Sequence, residues 1–258
     1  MPSISGQTLL VIGGTSGIGF GVAKLALSEG MRVAIASSNP ERVASAVERL
    51  KESSPDGTTI VHGYTVDLSQ PDMESRLEKL LIDVTAIFGR DESPELLDHL
   101  VFTAGDPIEH RPTSDIDLEF IHKCGQVRFA APLLIGKLAP QFFKPHWKSS
   151  ITFTSGKVAE KPLPLYTVFA AYAAGLSGAT RNLALDLKPI RVNQVNPGAV
   201  ITELWGEGAE AHIEAAARKA LLGKLGTPEE TAEAYIYLMK DTTATGVFIN
   251  NSGGDLLL

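Results

Sequence analysis

The sequence predicts an α/β domain built on a doubly wound, seven-stranded parallel sheet with helices on both faces. Three observations lead there. Short β-rich runs alternate with helix-period segments along the chain. Most of those runs are apolar on both faces instead of alternating, as in strands covered on each side. A glycine-rich junction, Gly13 to Gly19, joins the first strand run to the first helix. With 258 residues, 44% of them hydrophobic, the chain is expected to form one domain, residues 1–258, around a sizeable core.

The strand runs, in order, are Thr8–Ile12, Arg32–Ser37, Thr59–Val66, His99–Thr103, Ser150–Ser155, Arg191–Asn196 and Gly246–Ile249. The helical segments between them are Gly17–Glu29, Pro40–Ser53, Gln70–Phe88, Ile116–Gln141, Leu163–Leu187 and Thr227–Met239. Asn39-Pro40-Glu41 supplies an N-cap followed by proline at the first helical position, and Thr227-Pro228-Glu229-Glu230 repeats the device with acids in the first turn. Right-handed crossovers between such units make the sheet parallel. The irregular Ala- and Glu-rich stretch 203–222 reads as a helical lid over a substrate.

A net charge of −7 argues against a nucleic-acid or acidic-membrane partner. The single cysteine, Cys124, excludes an internal disulfide and suits a reducing, cytoplasmic setting; on a helix it is expected to be packed. No apolar run approaches a membrane span. The histidines, among them His99, His110, His122 and His146, show no metal-ligand spacing, and Glu92, Glu95 and Asp98 read as a solvated acidic face.

Gly13-Gly14-Thr15-Ser16-Gly17-Ile18-Gly19 sits where a strand turns into a helix. Glycines there allow a tight turn and close approach of backbone to a pyrophosphate, which the N–H groups and dipole of the helix N-terminus favour. With Val11-Ile12 before it, this turn resembles the Gly-x-x-x-Gly-x-Gly turn of the short-chain dehydrogenase/reductase family. Other pieces resemble the family's motifs in the same order. Asp67-Leu68 is similar to its adenine-contacting pair, and Thr103-Ala104-Gly105 to its Asn-Ala-Gly. Arg191-Val192-Asn193-Gln194-Val195-Asn196-Pro197-Gly198 resembles its Arg-Val-Asn-x-x-x-Pro-Gly, and Ser252-Gly253-Gly254 resembles the end of its last strand. The resemblance implies a Rossmann-type fold holding a nicotinamide dinucleotide, with Val200 and Thr202 facing the carboxamide and the phosphates.

An acid after the second strand would bond the adenosine ribose and repel a 2′-phosphate. This chain has Ser37, Ser38 and Asn39 there, with Arg42 a turn later, so the expected cofactor is NADP(H). Asn39 is also expected to cap its helix.

The family's chemistry uses a Ser, a Tyr-x-x-x-Lys pair and an Asn on the preceding helix. Ser155 matches the Ser, and Ala174-Gly175 resembles the Ala-Gly that follows the Lys. This register puts Phe169 at the Tyr position and Ala173 at the Lys position, and aligning Lys137 and Pro140 puts Arg128 at the Asn position. Phe169 cannot transfer a proton and Ala173 carries no charge. Arg128 is a cation, though too weak an acid for general acid catalysis. It either replaces the lost lysine as a ribose or substrate anchor or snorkels along the helix into a subunit interface. Tyr166 is a displaced proton donor or, with Phe169, Tyr172 and Trp205, a wall of an aromatic substrate pocket. The expected catalytic set is Arg128, Ser155 and Tyr166.

Reduction of a neutral ketone needs a proton, whereas an iminium carbon is already cationic. The expected activity is therefore NADPH-dependent reduction of an imine, iminium or similarly activated acceptor. The resemblance extends to unusual family members of fungal secondary metabolism, including ones that steer cyclisations. Those would be expected to use a carboxylate near the nicotinamide, and Lys161-Pro162-Leu163-Pro164-Leu165 offers none. A nucleotide-binding sensor or scaffold without turnover is the remaining alternative. The two long helices, carrying Ala170, Ala174 and Ala184, are expected to form a homodimer or homotetramer.

Overall fold

The computed structural model describes residues 2–53, 60–89, 93–206 and 208–258. Strands β1 (Thr8–Ile12), β2 (Arg32–Ser37), β3 (Val61–Thr65), β4 (His99–Phe102), β5 (Ser150–Thr154), β6 (Arg191–Pro197) and β7 (Phe248–Asn251) form one sheet. Its order is β3-β2-β1-β4-β5-β6-β7, and every pairing is parallel. The helices are α1 (Gly17–Ser28), α2 (Pro40–Glu52), α3 (Met73–Phe88), α4 (Leu118–Gly125), α5 (Ala131–Phe142), α6 (Thr167–Asp186), α7 (Glu210–Lys219) and α8 (Pro228–Lys240).

Successive residues of β1 face opposite sides of the sheet, and both sides are buried. Leu9 and Val11 pack with Val22 and Ala26 of α1 and Ala232 and Tyr235 of α8. Leu10 and Ile12 pack with Leu77 and Leu81 of α3 and Ile135 and Leu138 of α5. Each of the Leu, Ile and Val side chains contributes about 1.5–3 kcal/mol through burial. Tyr235 is fully buried yet satisfied, its hydroxyl 2.7 Å from Thr154 Oγ1. The two helix starts legible in the sequence are built as expected. Asn39 Oδ1 accepts from Arg42 N at 2.8 Å, and Thr227 and Glu230 form a reciprocal capping box.

Several boundaries differ from the sequence expectation. The segment 116–141 is not one helix: α4 ends at Gly125, a π-helical turn follows over Gln126–Ala130, and α5 resumes at Ala131. Helix α6 starts at Thr167, not Leu163, because Leu165 adopts φ 69° and Tyr166 is the N-cap residue. The last strand begins at Phe248, since Gly246 turns with φ 68°. Thr59 of the expected third strand, Glu92 of the expected acidic face and Glu207 of the expected lid lie outside the described residues.

The rest of that acidic face is corrected outright. Asp98 is 7% exposed. Its Oδ2 accepts from Thr8 N at 3.0 Å and from Lys144 Nζ at 2.8 Å. Glu95 is half-buried between Arg32 and Lys144, whose charges and hydrogen bonds outweigh burial and lower its pKa. These acids tie together the N-terminal ends of β1, β2 and β4. No helix of the described residues is long and apolar enough to cross a membrane.

Candidate functional site

The strand order reverses between β1 and β4, and the crevice outside their carboxyl ends is where open α/β sheets bind ligands. The glycine turn follows β1 there. A Cβ on Gly13, which has φ 95°, would lie 2.5 Å from Ala104 N, and one on Gly19 would lie 2.4 Å from Thr103 Oγ1. The turn is therefore seated directly on the Thr103-Ala104-Gly105 segment, and Thr103 Oγ1 donates to Gly13 O at 3.2 Å. Thr15 and Gly14 are buried, whereas Ser16, Gly17 and Ile18 remain partly open. Ser16 caps α1 without a side-chain hydrogen bond, and the first turn of α1 holds no acid. This cradle, closed to side chains and rich in N–H donors, fits the pyrophosphate of a dinucleotide.

At the end of β2, Ser37 and Asn39 are half-buried and Ser38 and Arg42 are exposed. Asn39 commits its side-chain oxygen to the cap but keeps its Nδ2 amide as a donor, alongside the donors of Ser37, Ser38 and Arg42. Asp67 folds onto its own turn: Oδ1 accepts from Ser69 N at 2.9 Å and from Ser69 Oγ at 2.7 Å, and Oδ2 accepts from Gln70 Nε2 at 2.7 Å. Those bonds hold its carboxyl below the usual range. Leu68 is buried in the core beneath that turn.

The π-helical turn ties the two ends of the crevice together. Gln126 Nε2 donates to Ser69 O at 2.6 Å, bracing the turn after β3. Two residues later, Arg128 reaches back over the segment after β4. A Cβ on Gly105 would lie 2.5 Å from Arg128 Cζ, and Arg128 Nη2 donates to the Asp106 carbonyl. Burial lowers the guanidinium pKa, and Arg128 Nε is buried without a hydrogen-bond partner among the described residues. A buried cation with an unused donor at the crevice suits a polar or anionic group of a bound molecule.

Phe169 is 8% exposed and packs with Phe120, Cys124 and Val168 beneath Arg128. It is thus largely core, as is Cys124, whose thiol pKa is raised by burial. Tyr166 keeps more exposure and leans on His110, their ring centroids 4.6 Å apart. The loop carrying His110 is braced by Glu109, which pairs with Arg111 and Lys123. Sequence reasoning left His110 among scattered histidines, because only tertiary structure brings it onto Tyr166. Burial raises the Tyr166 pKa, leaving the hydroxyl protonated at neutral pH. Tyr172, expected in the pocket wall, donates its hydroxyl to Ile121 O at 3.1 Å, and its ring fills the space over Gly125. Its polar tip therefore serves α4. Ser155 Oγ donates to Ala173 O at 3.3 Å, so the β5 end and the middle of α6 are in contact.

The stretch Lys161–Leu165 carries no carboxylate of its own, but the loop after β5 meets one from elsewhere in the chain. Asp255, near the end of the chain, pairs with Lys157 and lies 3.3 Å from Lys161 Nζ. Both lysines lower its pKa. Beyond β6, Gly198 packs against Ser252, and Val200 is buried, bridging to Gly226. The 203–222 stretch contains a short helical turn, Glu203–Trp205, and α7, which has no buried residue. Trp205 Nε1 donates to Val200 O at 2.8 Å, which anchors the start of the stretch. Glu203 Oε2 accepts from Gly17 N at 2.9 Å across the crevice. No three His, Cys, Asp or Glu side chains among the described residues are grouped to hold a metal ion.

Residues 2–258 match the family model for the SDR-like Rossmann domain. The chain belongs to the short-chain dehydrogenase/reductase family, and family and fold together make it a nicotinamide-cofactor oxidoreductase. It is 47% identical over 260 residues to the short-chain dehydrogenase/reductase ATR9 of Stachybotrys chlorohalonatus, covering 100% of both chains. It is 38% identical to the short-chain dehydrogenase/reductase malC of Malbranchea aurantiaca, covering 98% of this chain and 96% of that one. The solved structure of the MalC reductase/Diels-Alderase from that organism superposes with a TM-score of 0.91, covering 99% of this chain and 98% of that chain.

Proposed function

We infer that the protein is an NADPH-dependent reductase of secondary metabolism that delivers hydride to an imine, iminium or similarly activated carbon. The observation that carries this reading is the trio Phe169, Ala173 and Arg128. Where the family's register expects a proton donor and a cation on α6, this chain has a buried ring and a methyl group, and a buried cation reaches the same crevice from the π-helical turn. The bound nicotinamide supplies the hydride. Arg128 holds and orients the nicotinamide ribose or the acceptor, and its charge does not serve as a proton source. Ser37, Ser38 and Arg42 receive the 2′-phosphate. Tyr166 and Trp205 border the acceptor, and helices α5 and α6 join copies of the chain into a dimer or tetramer.

One pair of observations favours a second reading, cofactor-assisted cyclisation. The similar MalC protein is a reductase/Diels-Alderase, and in this chain Asp255 stands at the loop after β5. A single turnover with 4-deuterated NADPH and a cyclic iminium probe separates the two. Deuterium on the former iminium carbon supports the reductase. Unoxidised cofactor with conversion of a diene-bearing probe supports the cyclase.

A further inference from the structure

Glu203 holds the amide that a dinucleotide phosphate needs. Its Oε2 lies 2.9 Å from Gly17 N, a contact between residues 186 positions apart. Gly17 is the first residue of α1, whose N-terminus has no cap from Ser16 and no first-turn acid of its own. A helix start with free N–H groups and a positive dipole end takes an anion, and here the anion is a side chain from the lid. Thr202 closes the same spot, its Cγ2 3.1 Å from where a Gly17 Cβ would be.

Among the described residues of the segment bearing Glu203, Ala209 alone is buried. Helix α7 buries no residue, and Leu204, Leu221 and Leu222 are exposed. Gly206, Gly208 and Gly223 all have positive φ, and a Cβ at any of them would meet no atom of the described residues within 4 Å. The segment is anchored near its two ends: Trp205 on Val200 O at one, Leu221 against Gly254 at the other.

We propose that Glu203 is an affinity-setting latch: its carboxylate competes with the cofactor's pyrophosphate for the α1 N-terminus, so cofactor binding displaces it and loosens the segment 208–222. Two anions cannot share one amide without repulsion, and the phosphate, with more acceptors and more charge, wins at saturation. The residue thereby couples occupancy of the cofactor crevice to the cover over the acceptor. This rests on the reading of the Gly13–Gly19 turn as a dinucleotide site.

The test is calorimetric titration of NADPH into wild type, Glu203→Gln and Glu203→Ala, with amide hydrogen exchange of residues 208–222 in each, free and saturated. Both variants are expected to bind roughly tenfold tighter than wild type. Wild type is expected to gain exchange in the segment on binding, whereas the variants exchange fast from the start. Equal or weaker binding by the variants, or exchange that does not change, overturns the latch while leaving the cofactor site standing. No binding by any of the three overturns the site reading, and the latch with it. Circular dichroism of the same samples establishes that the variants are folded, and Glu203→Gln keeps the side-chain shape.

Discussion

The guanidinium of Arg128 stands 5.8 Å from the centroid of the Phe169 ring, with Gly105 directly beneath its head group. The pair joins the π-helical turn to α6. A cation there is preorganised by packing, since burial and the Asp106 carbonyl fix it before any molecule binds. Arg128→Ala is expected to lower NADPH-dependent turnover about a hundredfold or more, as for loss of one oriented charge. Tyr166→Phe and Tyr172→Phe are each expected to cost little. Steady-state kinetics of the three variants, with cofactor affinity measured alongside, checks this.

The end of β2 predicts the cofactor preference. Ser37 is half-buried and Ser38 exposed, and no acid accompanies them. NADP(H) is expected to bind much more tightly than NAD(H), and Ser37→Asp to reverse part of the preference by repelling the 2′-phosphate. Calorimetric titration with both dinucleotides is the check, and equal affinities for the two would be the contrary result.

Stability should fall on mild acidification, and His99 should account for much of it. The ring is fully buried, with Nδ1 2.8 Å from Ser150 Oγ and Nε2 2.7 Å from Gln7 Oε1. Burial pushes its pKa down to about 3; Arg191 and Lys144 add to the effect and Asp98 opposes it. Below about pH 6.5 the unfolded chain binds a proton that the folded chain excludes, so this contribution is full above that pH and is lost as the pH falls. The slope approaches about 1.4 kcal/mol per pH unit. Urea unfolding from pH 7.5 to 5 should be markedly flatter for His99→Gln than for wild type. A parallel slope in the variant would assign the dependence elsewhere.

The outer faces of the long helices predict assembly. Leu133 of α5 and Leu185 of α6 are exposed, as are Ala174 and Gly178, and small residues let helices approach closely. Light scattering at micromolar concentration should return the mass of a dimer or tetramer, and Leu185→Glu should shift it toward the monomer. A monomer mass for the wild type would rule the assembly out.

Much of the framework is legible in the sequence because it depends on local chemistry. β1 and β2 run to their predicted ends, since apolar runs bounded by glycine or by caps have few alternatives. Asn39 and Thr227 mark their helix starts for the same reason. What is not legible depends on tertiary partners. The π-helical turn at Gln126–Ala130 interrupts a segment whose apolar pattern continues through it. Asp98 reads as solvated because nothing nearby in sequence announces Thr8 or Lys144. Asp255 meets Lys157 from almost the far end of the chain, and Glu203 meets Gly17 across most of it. Tyr166 reads as helical because its spacing to Phe169 is, but after the positive φ of Leu165 helix α6 begins only at Thr167.

The measurement that bears most directly on the central claim is stopped-flow oxidation of NADPH by the wild-type protein against matched cyclic ketones, imines and iminium salts, repeated with Arg128→Ala and Tyr166→Phe. The expected result is rapid oxidation with the iminium salts, little with the ketones, loss of that activity in Arg128→Ala and retention in Tyr166→Phe. Ketone reduction at comparable rates, surviving Arg128→Ala and collapsing in Tyr166→Phe, would contradict it: a displaced tyrosine would then be the proton donor of an ordinary carbonyl reductase.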